Sequence, residues 1–199
     1  MKSTRLWQFL NVAAALFALI MNTLANALPL FGKNTGELSD LYPNLFVPSG
    51  VTFSIWGLIY LLLIVFLAYQ FMTKDQPGLI QATSPWLFLN LMLNGLWIVA
   101  WHAQQPELAL AIMITLLLTL LQLNLRLAAR KSTAPAKEKW FARVFVSVYL
   151  GWISVATIAN VTAVLVNNGI QGGEMEVAIT AGMILIAALL GFIFVWKRG

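Results

Sequence analysis

Residues 51–72 read VTFSIWGLIYLLLIVFLAYQFM, and this stretch decides the fold class because it contains no Asp, Glu, Lys or Arg. A helix rises about 1.5 Å per residue and the hydrocarbon core of a bilayer is about 30 Å thick, so about 20 apolar residues cross it. Backbone amides have no water to bond in lipid, so such a stretch must satisfy them within itself, as a helix. The same test applied outward predicts six spans: Leu6 to Leu28, Val51 to Met72, Pro85 to His102, Leu108 to Leu127, Phe141 to Val166 and Val177 to Trp196. The segments between them are short except residues 29–50, whose Gly, Asn, Ser, Asp and Pro content predicts an irregular structured loop. The reading is an all-α polytopic membrane helix bundle, with residues 1–199 forming a single integral membrane domain.

Composition agrees. Of 199 residues, 60% are hydrophobic and 10% charged, whereas a soluble domain carries about 25% charged residues. Mean hydropathy is +0.83. The net charge of +5 comes from 12 basic and 7 acidic residues. These lie between apolar runs rather than in an aromatic-rich soluble patch, so the expected partner is the lipid bilayer with its anionic headgroups, not nucleic acid. The chain has no cysteine and one histidine, which leaves no disulfide framework, thiolate nucleophile or metal cage.

With the N-terminus in the cytoplasm, the inner basic residues are Lys2, Arg5, Lys74, Arg126, Arg130, Lys131, Lys137, Lys139, Arg143, Lys197 and Arg198, and only Lys33 falls outside. The positive-inside rule therefore places both termini in the cytoplasm. The basic start and Ala25-Asn26-Ala27 also resemble a signal peptide. Amides at Asn11 and Asn22 interrupt the apolar run and favour a retained span.

No Asp, Glu, Lys or Arg lies well inside any predicted span, and ion-coupled transport needs such groups at depth. His102 is expected as an interfacial histidine. Paired carboxylates, a nucleophilic triad and a phosphate-binding glycine loop are all missing from the sequence, so no catalytic or metal residues are expected.

The spans instead carry amides and aromatics at intervals of three, four and seven, which place them on one helix face. Span one has Gln8, Asn11, Asn22 and Asn26; span two has Phe53, Trp56 and Tyr60; span three has Asn90, Asn94, Trp97 and Trp101. Span four has Thr115, Thr119 and Gln122, and span five has Tyr149, Trp152, Ala156 and Asn160. Amides facing lipid are costly, so these stripes are expected to converge inside the bundle. The plainer reading makes them interhelical glue and packing. The sharper one makes them walls of a cavity suited to a large, flat, mostly apolar ligand.

PSGVTFSIWGLIY (residues 48–60), LNLMLNGLW (89–97) and YLGWISVATIAN (149–160) occur in that order. Together they resemble the second-, third- and fifth-helix signatures of the TspO/translocator protein family, the tryptophan-rich sensory proteins. The resemblance implies a five-helix core around a ligand pocket capped by the loop 29–50, with porphyrins, haem-like tetrapyrroles or sterols as ligands, and homodimers. Position by position, Trp56 and Trp152 match aromatic walls, Asn94 the third-helix amide, and Ala156 the small residue beside the ligand. The expected ligand-binding set is Phe53, Trp56, Tyr60, Asn90, Asn94, Trp97, Tyr149, Trp152, Ala156 and Asn160. Ser49 stands where the family has its second proline, the loop lacks the family's Trp-Tyr and Lys-Pro signature, and the sixth span is additional to the five-helix pattern.

The expected function is a membrane receptor or carrier for a tetrapyrrole or similar flat hydrophobic ligand, in the bacterial cytoplasmic membrane, with no required cofactor. Light-dependent porphyrin degradation is implied by the resemblance alone. The rival reading is a small uncoupled transporter or flippase subunit for a hydrophobic metabolite.

Overall fold

The computed structural model describes residues 2–28, 30–72, 77–130 and 134–170, with isolated positions between 177 and 185. The predicted sixth span, Val177 to Trp196, lies almost wholly outside the described residues. The elements are α1 (Lys2–Ala27), a 3-10 turn (Leu30–Gly32), α2 (Thr35–Ser39), a 3-10 turn (Gly50–Ser54), α3 (Ile55–Met72), α4 (Pro77–His102), α5 (Pro106–Ala129), α6 (Ala136–Glu138), a π turn (Lys139–Arg143) and α7 (Val144–Asn167). Among the described residues, five helical segments are long and apolar enough to cross a membrane: Thr4–Ala27, Gly50–Met72, Gly78–His102, Pro106–Ala129 and Ala136–Asn167.

These helices close a ring. The central helix α4 packs α1 on one flank and α5 on the other, α7 packs on α5, and α3 completes the circuit by touching α7 and, more loosely, α1. Leu6, Phe9, Leu16, Ile20, Leu61, Ile64, Leu118 and Leu125 project outward, where a bilayer is as good a solvent for them as a protein core. Ala14, Ala15, Ala18 and Ala25 are buried, and these small residues let α1 approach its neighbours closely.

The amides of α1 turn inward at three of four positions. Gln8 Nε2 donates to the Gln70 carbonyl at 2.6 Å, and Asn11 Nδ2 donates to Gln70 Oε1 at 3.2 Å and Ser84 Oγ at 3.0 Å. Asn22 is buried as well, while Asn26 is exposed. The expected span-four stripe is corrected in part: Thr119 is buried, but Gln122 is half-buried and Thr115 is exposed, its hydroxyl turned back onto the Ala111 carbonyl at 2.9 Å. A hydroxyl bonded within its own helix can face lipid.

Two boundaries differ from the sequence expectation. Helix α4 runs through Pro85 and begins at Pro77, although proline interrupts the helical ladder. The added turns are held by buried contacts, with Leu79 and Ile80 inside the bundle and Ser84 gripped by Asn11. The fifth span begins at Ala136 rather than Phe141, whereas the second agrees with its expected bounds within one residue and enters through the 3-10 turn at Gly50–Ser54 before becoming α-helical.

At the end of the bundle opposite the 29–50 loop, Glu138 is fully buried between Arg130 (3.4 Å) and Arg143 (3.8 Å). The π turn that follows inserts an extra residue per turn. It leaves Ala142 buried and Trp140 exposed beneath Lys139.

Gly95 sits where α1 meets α4, and a methyl group there would overlap the Phe17 ring. Gly95→Ala is therefore expected to push α1 and α4 apart and cost about 1–3 kcal/mol, the usual range for overpacking. A lowered melting temperature in detergent is the readout.

Candidate functional site

The loop 29–50 folds back over one end of the ring. Asn34 caps α2 with a reciprocal capping box: its Oδ1 accepts from the Glu37 amide at 2.9 Å and its own amide donates to Glu37 Oε2 at 2.8 Å. Two contacts anchor α2 to the end of α4. Trp101 Nε1 donates to the Thr35 carbonyl at 3.3 Å, and Thr35 Oγ1 lies 3.2 Å from His102 Nε2. His102 is consequently buried at 1% exposure, which corrects the expectation of an interfacial histidine: the loop covers the end of α4 that would otherwise meet water. Tyr42 packs against Trp101 at 5.5 Å. Burial and then the nearby Glu107 carboxylate raise its phenol above the ordinary range, so it stays protonated at neutral pH.

Beneath this lid lies a chamber lined by Phe53 and Trp56 at the start of the second membrane segment, Trp97 and Trp101 of α4, Met113 of α5, and Trp152, Ala156, Ala159 and Asn160 of α7. Ser39 and Pro48 close it from the loop. Its rings are tightly arranged. Trp97 stacks on Trp101 at 5.7 Å, and Trp56 meets Trp152 edge-on at 6.2 Å and stacks on Tyr60 at 5.4 Å. Phe53 meets Trp152 at 6.0 Å. Trp97 Nε1 donates to Asn160 Oδ1 at 3.0 Å, while Asn160 Nδ2 returns to the Ala156 carbonyl at 2.9 Å. The buried Trp152 Nε1 has no protein acceptor. The cavity volume is about 30 Å³, so the indoles nearly fill the chamber.

Six of the ten expected residues thus line one chamber: Phe53, Trp56, Trp97, Trp152, Ala156 and Asn160. Tyr60 lines a neighbouring cavity. Asn94 and Tyr149 stand behind the wall, in a network that joins four helices. Asn94 Oδ1 accepts from Asn22 Nδ2 at 3.0 Å and from the Tyr60 hydroxyl at 3.4 Å, and Asn94 Nδ2 donates to the Tyr149 hydroxyl at 3.1 Å. Asn90 lines neither cavity; it faces α5, donating to Thr119 Oγ1 at 2.7 Å and to the Leu116 carbonyl at 3.2 Å.

The chamber also contains residues missing from the expected set. Trp101 follows Trp97 by four and Ala159 follows Ala156 by three, so helical spacing could have added both. Met113, Ser39 and Pro48 carry no such signal, because α5 and the loop reach the chamber only through packing.

A ring of membrane-crossing helices around a lidded, indole-walled chamber defines a polytopic helical membrane protein. The chain belongs to the TSPO-like protein family, whose family profile matches residues 8–199. The family is one of membrane ligand-binding proteins. The match runs through residues 177–196, so the segment expected as an addition to the five-helix pattern falls within the matched region. No curated protein and no solved structure matches the chain.

Proposed function

We propose that this protein is a receptor or carrier for a flat, mostly apolar ligand of the porphyrin or haem-like tetrapyrrole class, held in the tryptophan chamber. One observation carries the reading: four indoles, Trp56, Trp97, Trp101 and Trp152, share a chamber in which the Trp152 N–H lacks a protein acceptor. Aromatic walls favour stacking on a planar π-system, and a buried unpaired donor costs about 1–3 kcal/mol, which an acceptor on the ligand removes. At about 30 Å³ the chamber is in a closed form, well below the 300–1,000 Å³ usual for ligand sites. Ligand admission therefore separates Trp56 and Phe53 from Trp152. The test is a protoporphyrin titration of the detergent-purified protein, followed by the porphyrin absorbance band. Saturable binding is expected, and its absence overturns the proposal.

The second reading, a small uncoupled transporter or flippase subunit for a hydrophobic metabolite, draws on the polar interior of the ring. Vectorial uptake of the same porphyrin into proteoliposomes would favour it over a receptor.

In this reading the protein sits in a bacterial cytoplasmic membrane, and the charge asymmetry supports an orientation with both termini inside and the lidded chamber in the outer half. Cysteine placed at Asp40, an exposed loop position, or at Gln171 is then expected to react with an impermeant maleimide on intact cells, and cysteine at Ser132 only after permeabilisation. The reverse pattern would invert the protein.

A further inference from the structure

The tryptophan chamber and the neighbouring cavity between α1 and α3 both lie toward the lidded end of the ring. The opposite end is built from charge. Its described residues include Arg5, Arg126, Arg130, Lys137, Lys139 and Arg143, and one acid, Glu138. Three of these side chains form a cluster. Glu138 is fully buried, with Arg130 Nη2 at 3.4 Å from Oε2 and Arg143 Nη2 at 3.8 Å from Oε1. Arg130 also lies against the first turn of α4, where a methyl group on Gly78 would come within 2.8 Å of its Nη1. The positive end of that helix therefore adds to the charge of the two guanidiniums.

The cluster is short of acceptors. Two guanidiniums share one carboxylate, which leaves one positive charge without a counter-ion. The 3.8 Å separation of Arg143 from Glu138 exceeds hydrogen-bond length, and Arg143 Nε is buried with no acceptor among the described residues. A guanidinium carries five N–H donors, so the deficit is large for a side chain only 21% exposed.

Depth identifies the missing anion. Trp140 projects from the same π turn as Arg143 and is 67% exposed, with Lys139 Nζ 5.7 Å over its ring. An exposed indole at the end of a membrane-crossing segment sits at headgroup level. The anion concentrated at that level is the lipid phosphate, whose oxygens fit a guanidinium fork. A zwitterionic lipid brings its own ammonium group and leaves the net charge of the cluster unneutralised, whereas a lipid of net negative charge compensates it.

We propose that the Arg130–Glu138–Arg143 cluster is a discrete site for one anionic phospholipid, its phosphate held by Arg143 with Lys139 beside it and its glycerol region against Trp140. This differs from the diffuse attraction of a basic surface to a charged membrane, because the selectivity belongs to one guanidinium. The site lies at the far end from the tryptophan chamber and does not depend on porphyrin binding there.

The test is native mass spectrometry of the full chain released from mixed micelles holding equal amounts of phosphatidylglycerol and phosphatidylcholine with the same acyl chains. One phosphatidylglycerol is expected to be retained about fivefold or more over phosphatidylcholine. Arg143→Lys keeps the charge but removes the planar fork, and should lose most of that preference. Arg126→Gln removes a whole charge from an exposed position at the same end, outside the cluster, and should keep it. Glu138→Gln removes the carboxylate that competes for the guanidiniums, so phosphatidylglycerol retention should rise a few-fold, a gain that a purely structural ion pair would not produce. Inorganic phosphate in excess should leave the lipid in place. No preference in the wild-type protein would overturn the proposal, as would unchanged or lower retention in a folded Glu138→Gln protein. Equal losses in Arg126→Gln and Arg143→Lys would overturn it in favour of a diffuse charge effect, and displacement of the lipid by inorganic phosphate in favour of a site for soluble anions. If Glu138→Gln does not fold, the comparison of Arg143→Lys with Arg126→Gln decides.

Discussion

Ala156→Phe is expected to weaken protoporphyrin binding at least about tenfold, equivalent to about 1.4 kcal/mol, and, because the chamber has only about 30 Å³ free, to lower the melting temperature without preventing folding. Ala156 is 8% exposed and lines the tryptophan chamber from α7. A benzyl group there occupies the space a planar ligand must enter once the indoles part, and the outward faces of the ring are untouched. Trp152→Ala acts differently: it enlarges the chamber and removes a stacking wall together with the unpaired indole N–H. The expected loss is about 1 kcal/mol, or about fivefold, on the usual scale for aromatic contacts. Trp140 is 67% exposed and lines neither cavity, so Trp140→Ala should leave affinity unchanged. Absorbance titrations on the three variants, after thermal melting has shown them folded, decide the matter. Indistinguishable affinities would leave the tryptophans as packing.

A loss of stability is also expected from Asn94→Leu. This one side chain bonds Asn22 of α1, Tyr60 of α3 and Tyr149 of α7, so its removal strands partners on three helices together. Interhelical hydrogen bonds in membrane proteins average about 0.6 kcal/mol and reach about 1.7, and three of them amount to about 2 kcal/mol. Tyr60→Phe removes only the 3.4 Å bond and should cost less than about 0.5 kcal/mol on the same scale. Unfolding in mixed micelles measures both. If Asn94→Leu kept full stability while porphyrin affinity fell, Asn94 would be a ligand contact rather than the joint between helices.

That distinction shows how far periodicity reaches. Spacing put Asn90, Asn94, Trp97 and Trp101 on one side of a helix, yet the structure gives them four partners: Thr119, the Asn22–Tyr60–Tyr149 group, Asn160 and the Thr35 carbonyl. A face of α4 spans a wide arc and α4 stands between α1 and α5, so residues one turn apart meet different neighbours. Only the last two, at the lidded end, line the tryptophan chamber.

Sequence alone determined that the chain crosses a membrane, because a stretch such as residues 51–72 has nowhere else to satisfy its backbone and bury its side chains. It also determined that amides and indoles, not charges, furnish the interior between the spans; the buried Glu138 lies at the end of the bundle, before the apolar run of the fifth span begins. Tertiary structure decided which of them meet. In α3 the apolar residues run round the whole helix, and lipid outside is as apolar as the core inside, so no amphipathic contrast marks the buried face. Ile59, Leu63 and Phe66 are buried while Leu58, Leu61 and Ile64 are exposed, a division set by where α1 and α7 stand. The lid contacts of Ser39 and Pro48, the burial of His102 and the cavity between α1 and α3 arise in the same way, from packing between segments far apart in the chain. A helical period reports the angle of a side chain about its own axis; the neighbour at that angle is supplied by the fold.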